Sequence, residues 1–409
     1  MARKKLVVQK FGGSSVANVE RILNVARRVV ETKKKGNNVV VVVSALGDTT
    51  DELIELAAKI TDSPSERELD MLMSTGEQIS ISLLAMAIHK LGIGAISLTG
   101  QQVGIATDKV HTKARIEKIE TKRIEKELQK HGIVIVAGFQ GITPENEITT
   151  LGRGGSDMSA VGLAIALKAD VCEIFTDVEG IYTTDPRIVK NARKLKQICY
   201  EEMLEMASMG AQVMQARSIE AASKFNIPLH VRSSFSEKEG TIISKEVKSM
   251  EGVVVRGVTL NKSEAKITIC KVPNKPGLAA KIFETLGKAN INVDMIIQNI
   301  SETGATDISF TVIKDDLNKT LKVAKDLCEK IKAAGVISDA DVAKISVVGI
   351  GMRSHSGVAA KMFKTLADEK INIEMISTSE IKISCVVGKA GAEKAVKALH
   401  KAFGLHKAS

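Results

Sequence analysis

Two glycine-rich turns hold residue types that bind and transfer anionic groups. Lys10-Phe11-Gly12-Gly13-Ser14-Ser15 directly follows a short apolar run and leads into a helix-like stretch. Glycines let a backbone come close to a ligand, a helix N-terminus offers unpaired N–H groups, and a lysine is a compact charge suited to a phosphoryl group. Gly152-Arg153-Gly154-Gly155-Ser156-Asp157 is a second such turn, opening a helix-like stretch at 156–167. An arginine there can hold a carboxylate through two parallel hydrogen bonds. Each turn alone is also what an ordinary strand-to-helix connection looks like, and Ser156 and Asp157 stand where capping residues belong. Two of them in one sheet, one with a lysine and one with an arginine, form a stronger signal.

Three further segments add polar groups. Residues 177–187 (DVEGIYTTDPR) come after an apolar run and are dense in turn formers, which suits a binding loop or a surface hairpin. Residues 44–50 (SALGDTT) and 74–78 (STGEQ) bring hydroxyls and the carboxyl of Glu77, although caps and helix faces look the same.

The elements that must position these turns alternate in kind. Apolar runs at 6–8, 39–43, 95–98, 133–137, 171–175 and 229–231 read as buried strands, and amphipathic stretches at 16–32, 66–91 and 156–167 read as helices. That order predicts an α/β domain whose largely parallel sheet is covered on both faces. A charged connector at 236–251 ends it, and the texture then changes to an internal repeat.

Residues 277–296 (GLAAKIFETLGKANINVDMI) and 357–376 (GVAAKMFKTLADEKINIEMI) agree at 11 of 20 positions at an offset of 80. Each copy reads strand, helix, strand, strand, helix, which is a ferredoxin-like unit short of one strand. The second copy ends in its helix and cannot supply its own. The unclaimed apolar run 253–260 (VVVRGVTL) is therefore expected to complete the second copy's sheet, so that the two modules intertwine.

Composition narrows the function classes. Apolar residues make up 44% and charged residues 26% of 409 residues, the balance of a globular protein of two or three domains. No stretch approaches the roughly 20 apolar residues of a bilayer span, and the first apolar run is too short for a signal peptide, so a cytoplasmic location is expected. The net charge of +10 falls mainly on mixed-sign stretches read as helical, such as 116–130. With no Trp and two Tyr, stacking platforms for nucleic acid are not expected. The five cysteines lack metal-ligand spacing and are expected to be reduced and mostly buried, and no protein-built metal site is expected.

Together and in order, these segments resemble the aspartate kinase family: VQKFGGSSV, SALGDTTDEL, STGEQIS, VAGFQGI, TTLGRGGSD and FTDVEGIYTTDPRIV, then KPGLAAKIF and STSEIKIS in the repeat. The resemblance covers nearly the whole chain. It implies an amino-acid kinase (carbamate-kinase-like) α/β/α sandwich at 1–245, then two ACT modules at 265–340 and 341–409. The implied reaction moves the γ-phosphate of ATP to the side-chain carboxylate of aspartate, the first step toward lysine, threonine and methionine.

The same resemblance places roles residue by residue. Lys10 would stabilise the transferring phosphoryl group, Gly12 and Gly13 would give backbone donors, and Asp157 would orient Lys10. Glu77 would take the substrate's amino group and Arg153 its α-carboxylate, with Ser44, Thr50 and Ser156 completing the pocket. Thr176, Asp177, Tyr182, Asp185, Pro186 and Arg187 would line the nucleotide site; Gln212 stands where many members carry a lysine. Mg²⁺ would ride on the nucleotide phosphates. Lysine or threonine, as feedback inhibitors, would meet Asn274, Ala279, Asn292, Val293, Asp294 and Gln298 in the first copy, and Ala359, Asn372, Ile373, Ser379 and Glu380 in the second. Paired ACT modules imply a dimer or larger, and Met250 would allow a separately made regulatory chain in an α₂β₂ assembly. A kinase for another amino acid would lack the repeat, and an inactive amino-acid sensor would not need Lys10, Glu77, Arg153 and Asp157 intact.

Overall fold

Five consecutive valines at 39–43 form an interior strand of the largest sheet in the computed structural model, which describes residues 4–208, 213–245, 254–300 and 304–407. A run of β-branched residues buried on both faces suits an interior strand of a parallel sheet. Asn38–Val43 pairs in parallel with Leu6–Phe11 on one side and Ile133–Ala137 on the other. The strand order continues outward through Ile96–Leu98 at one edge and through Val171–Thr176 and Leu229–Ser233 toward the other. All six strands expected from apolar runs are adjacent in this sheet and parallel. Thr241–Ser244 then turns antiparallel, and Gln197–Cys199 closes the edge.

Alternation along each strand divides the core between two faces. Val39, Val41, Val43, Ile133 and Ile135 join one cluster with Val25 and Val29 of Val19–Lys34 and with Ile81, Leu84 and Ile88 of Glu66–Lys90. Gly155–Ala166 touches Leu6–Phe11, Asn38–Val43 and Val171–Thr176, and packs with Ala216–Phe225. Contrary to the expectation that no stretch approaches a bilayer span, Glu66–Lys90 is long and apolar enough to cross a membrane by length and composition. Its apolarity is accounted for by the face it gives to the core.

The stretch 116–130 is not one helix. Ile116–Ile119 is a strand, and Lys122–His131 a helix beginning after Thr121. This IEKI segment pairs antiparallel with Ile105–Thr107, and with Gln140–Ile142 and Ile148–Thr150 it forms a small four-stranded sheet. Buried Asp70, on Glu66–Lys90, fastens that sheet by accepting from Thr150 Oγ1 at 2.6 Å and from the Thr112 N–H at 3.0 Å. Cys172, Cys199, Cys328 and Cys385 are buried, Cys270 is half-buried, and none is in a disulfide.

The chain forms two compact units, one of Met1–Ile181, Lys194–Ala207 and Gln212–Lys248, the other of Tyr182–Arg193, Ser208–Ala211 and Ser249–Ser409. A cut near residue 245 thus differs from the observed division: 182–193 belongs with the C-terminal third, because Ile188, Val189 and Ala192 join an apolar core there with Val258, Ile345, Val396 and Leu399.

In that second unit, Glu264–Pro273, Val293–Ile300, Ala305–Ile313 and Gly335–Asp339 form one sheet, the last pairing beside Glu264–Pro273. The other sheet holds Val342–Val348, Ile373–Thr378 and Lys382–Gly388, and Gly257–Asn261 pairs antiparallel with Val342–Val348 in the equivalent fourth place. A strand that precedes the first module in sequence therefore lies in the second module's sheet. Met295, Val342, Met375 and Val386 share a small cluster. Beside it Lys344, 2% exposed, pairs with Glu264 at 2.9 Å and with Asp294. The repeat equivalent of Lys344 is Lys266, since 265–267 and 343–345 both read AKI, and Lys266 pairs with Glu374 at 2.9 Å.

Candidate active site

Lys10 lies one residue from the C-terminal end of a central strand, level with Val42 and Ile174 of its neighbours. Its ammonium is 2.6 Å from Asp157 Oδ1 in the first turn of Gly155–Ala166, and both side chains are largely buried. An ammonium carries three donors, so this one carboxylate contact leaves others for an anion. The other oxygen, Oδ2, accepts from the Gln215 N–H at 3.2 Å, and the Gln215 amide donates to the Arg153 carbonyl at 2.8 Å. Those two bonds fix the turn that leads into the helix. Gly154 sits in it at φ +75°, where a Cβ would be 2.9 Å from Gln215 Cβ, so only glycine fits.

Adjacent strand ends converge around the pair. Gly12 N–H donates to the Phe175 carbonyl at 3.4 Å, Ser44 N–H to Phe11 at 3.1 Å, and Gly47 N–H to Gly13 at 3.1 Å. A Cβ on Gly13 would lie 2.7 Å from the Gly47 carbonyl and 3.0 Å from that of Ala45, so two backbone loops touch there. Ser44 Oγ donates to Ser156 Oγ at 2.9 Å.

Glu77 enters from the middle of Glu66–Lys90, brought close because Gly76 abuts Ala45. It is 2% exposed. Oε1 accepts from the Ala45 N–H at 3.1 Å, and Oε2 has no hydrogen-bond partner. Burial pushes its carboxyl up to about 8. An orphaned carboxyl oxygen in a buried site is what a bound ammonium group would complete.

One unit thus brings together Lys10, Gly12, Gly13, Ser44, Glu77, Ser156 and Asp157. Thr50 stands half-buried in the first turn of Thr49–Ala58, and Arg153 is exposed on its glycine turn. Thr176 Oγ1 donates to Asp177 Oδ1 at 3.0 Å at the end of Val171–Thr176. Tyr182, Asp185, Pro186 and Arg187 belong to the other unit. There the Arg187 guanidinium grips Asp185 at 2.8 and 3.1 Å and holds that carboxyl below its usual range. Gln212 and Met250 lie outside the described residues.

The expected effector residues separate into groups. Ala359, Ser379 and Glu380 line a cavity of about 520 Å³ in the second module, with Arg353, His355 and Thr378. Arg353 Nε meets Glu380 at 3.0 Å. Repeat identity could not reveal Arg353 or His355, because the first copy has Pro273 and Lys275 there. Asn372 is exposed just before Ile373–Thr378 and does not line that cavity. In the first module Asn292 and Gln298 are exposed and Val293 joins the core, while the Asn274 N–H donates to Gly304 at 3.1 Å. Ala279 lies on the helix Leu278–Lys288. Asp294 is engaged by Lys344.

The amino acid kinase family profile matches residues 5–233, and the ACT domain profile matches 271–326 and 345–403. The chain is 52% identical over 401 residues to an aspartate kinase of Stutzerimonas stutzeri, covering 98% of this chain and 97% of that one. It is 54% identical over 400 residues to an aspartokinase of Bacillus sp. strain MGA3, with 98% and 97% covered. Among solved structures, E. coli aspartokinase III in complex with aspartate and ADP (R-state) aligns with a TM-score of 0.83 at 26% identity, covering 97% of this chain and 99% of that one. Likeness of this length and degree, on a kinase sheet followed by two ACT folds, means that the chain belongs to the aspartate kinase family.

Proposed function

We propose that this chain phosphorylates the side-chain carboxylate of aspartate with ATP. The Lys10–Asp157 pair beside the orphaned Glu77 oxygen carries this reading: one site offers a cation for a phosphoryl group and an anion for an ammonium group. A carboxylate oxygen attacks the γ-phosphorus, the new P–O bond forms, the bond to the β,γ-bridging oxygen breaks, and ADP leaves with that electron pair. The nucleophile is already anionic, so no general base is needed, and catalysis rests on positioning and charge neutralisation. Asp157 aims Lys10 at the transferring group, and Gly12 and Gly13 admit backbone donors beside it. Glu77 holds the substrate's amino group and Arg153 its α-carboxylate, while Ser44, Thr50 and Ser156 shape the pocket.

Thr176, Asp177, Tyr182, Asp185, Pro186 and Arg187 serve the nucleotide. Mg²⁺ would be carried on the nucleotide's phosphates, where it would offset their charge. The ACT modules take lysine or threonine as feedback inhibitors, and the second-module cavity of about 520 Å³ has room for one. A cytoplasmic homo-oligomer, or an α₂β₂ assembly with a regulatory chain begun near Met250, fits the paired modules.

ATP-dependent hydroxamate formation, run with aspartate beside glutamate, tests the reaction. Product with aspartate alone is expected, and Lys10→Ala should lower kcat by about two orders of magnitude or more with modest change in either KM. Turnover of glutamate in preference to aspartate would overturn the substrate; an unchanged kcat would remove Lys10 from the mechanism.

A further inference from the structure

Thr183 is fully buried, and every polar atom it carries is engaged. Its N–H donates to the Arg193 carbonyl at 2.9 Å, and its own carbonyl accepts from the Val258 N–H at 2.8 Å. Its Oγ1 accepts from the Arg193 N–H at 3.0 Å and is also hydrogen-bonded to Nε2 of His400, 2.9 Å away, the donor there depending on the imidazole tautomer. His400, 1% exposed, comes from the chain's last helix, Ala392–Ala402. Burial, with His406 nearby, holds the imidazole below its ordinary value.

The turn after Thr183 is held within the same unit. The Asp185 carbonyl accepts from the N–H groups of Ile188 and Val189 at 3.0 Å, and Ile188, Val189 and Ala192 pack into the second module's core. Residues 182–193 leave and return to their neighbours in sequence at Ile181 and Lys194, yet their conformation is fixed by groups 65 to more than 200 residues further along the chain.

We infer that His400 is a positioning residue for the nucleotide: by anchoring Thr183 it fixes the turn that carries Tyr182, Asp185 and Arg187. The inference rests on the proposed reading of those three as nucleotide contacts. The aspartate pocket is built on other elements, 44–50, Glu66–Lys90 and Gly155–Ala166, so the anchor acts on one substrate and not the other.

The test is steady-state kinetics of the full-length enzyme, with both substrates varied and thermal unfolding recorded for every variant. His400→Ala and Thr183→Val should each raise the KM for ATP roughly fivefold to tenfold, the scale of one lost buried hydrogen bond, while the KM for aspartate stays within about twofold. The double variant should be no worse than Thr183→Val alone, which already removes the bond to His400. His400→Gln, whose side-chain amide can donate to or accept from the same hydroxyl, should recover most of the ATP affinity. An unchanged KM for ATP in a folded His400→Ala enzyme, or a parallel rise in both KM values that tracks lost thermal stability, would overturn the inference. If His400→Ala does not fold, an unchanged KM for ATP in Thr183→Val overturns it equally. Arg187→Ala separates the two levels. If it leaves the KM for ATP unchanged, the nucleotide reading falls and this inference with it. If it raises that KM while His400→Ala does not, only the role of His400 is lost.

Discussion

A carboxyl group that burial holds near pH 8 binds a cation only after it gives up its proton. Without substrate, Glu77 is therefore mostly neutral at pH 7. Its raised value means that its contribution to folding stability is complete below its ordinary value of 4.5 and is lost as pH rises through about 8. Substrate binding reverses the preference, because an ammonium group beside Oε2 favours the anion. The KM for aspartate should accordingly fall about tenfold per unit as pH rises from 6 toward 8 and level off above it, with roughly one proton released on binding at pH 7. Isothermal titration in two buffers of different ionisation enthalpy reads the proton, and Glu77→Gln should abolish both effects. A pH-independent KM in the parent enzyme would remove Glu77 from amino-group recognition. Sequence marked Glu77 only through its family's motif, since a glutamate inside a mostly apolar helix has no local sign of its neighbours. Its role depends on Gly76 letting that helix approach Ala45, a contact made across 31 residues.

At the scale of elements, strand identity was plain wherever branched apolar residues ran together, because burial on both faces demands that composition. The small sheet was not, and 116–119 read as helix, because its strands are three or four residues long and half polar. Their form comes from Asp70 and from pairing partners distant in sequence. The glycine turns were legible as anion-friendly, but which glycines are indispensable is decided by neighbours. Gly13→Ala forces a methyl against two backbone carbonyls, so it should lower kcat at least tenfold and reduce the melting temperature. Gly287→Ala, in Leu278–Lys288 with open space around it, should instead raise thermal stability slightly, by about 0.5–1 kcal/mol, and leave kcat alone. Equal effects of the two substitutions would contradict the crowding at Gly13.

At the scale of the molecule, the two modules are joined by an ion pair held between them. Glu264, from the first module's strand, and Lys344, from the second's, pair with each other out of water. Breaking such a pair strands a buried charge, so Lys344→Met should destabilise the C-terminal unit by about 3–5 kcal/mol, and adding Glu264→Leu should recover much of it. Urea unfolding followed by a probe in that unit measures both; a single substitution within about 0.5 kcal/mol of the parent would mean that the pair is not desolvated.

The strap of residues 182–193 bears on whether regulation could be inherited as a separate part. Gly257–Asn261 is the outermost strand of its sheet, and the strap takes up its Val258 N–H and covers apolar residues beneath. A chain begun at Met250 would carry both modules but not their cover. It would expose an unsatisfied strand edge, a stranded His400 and a patch of core. Such a fragment would be an incomplete object that recruits a substitute strap, from a full-length partner or from its own kind.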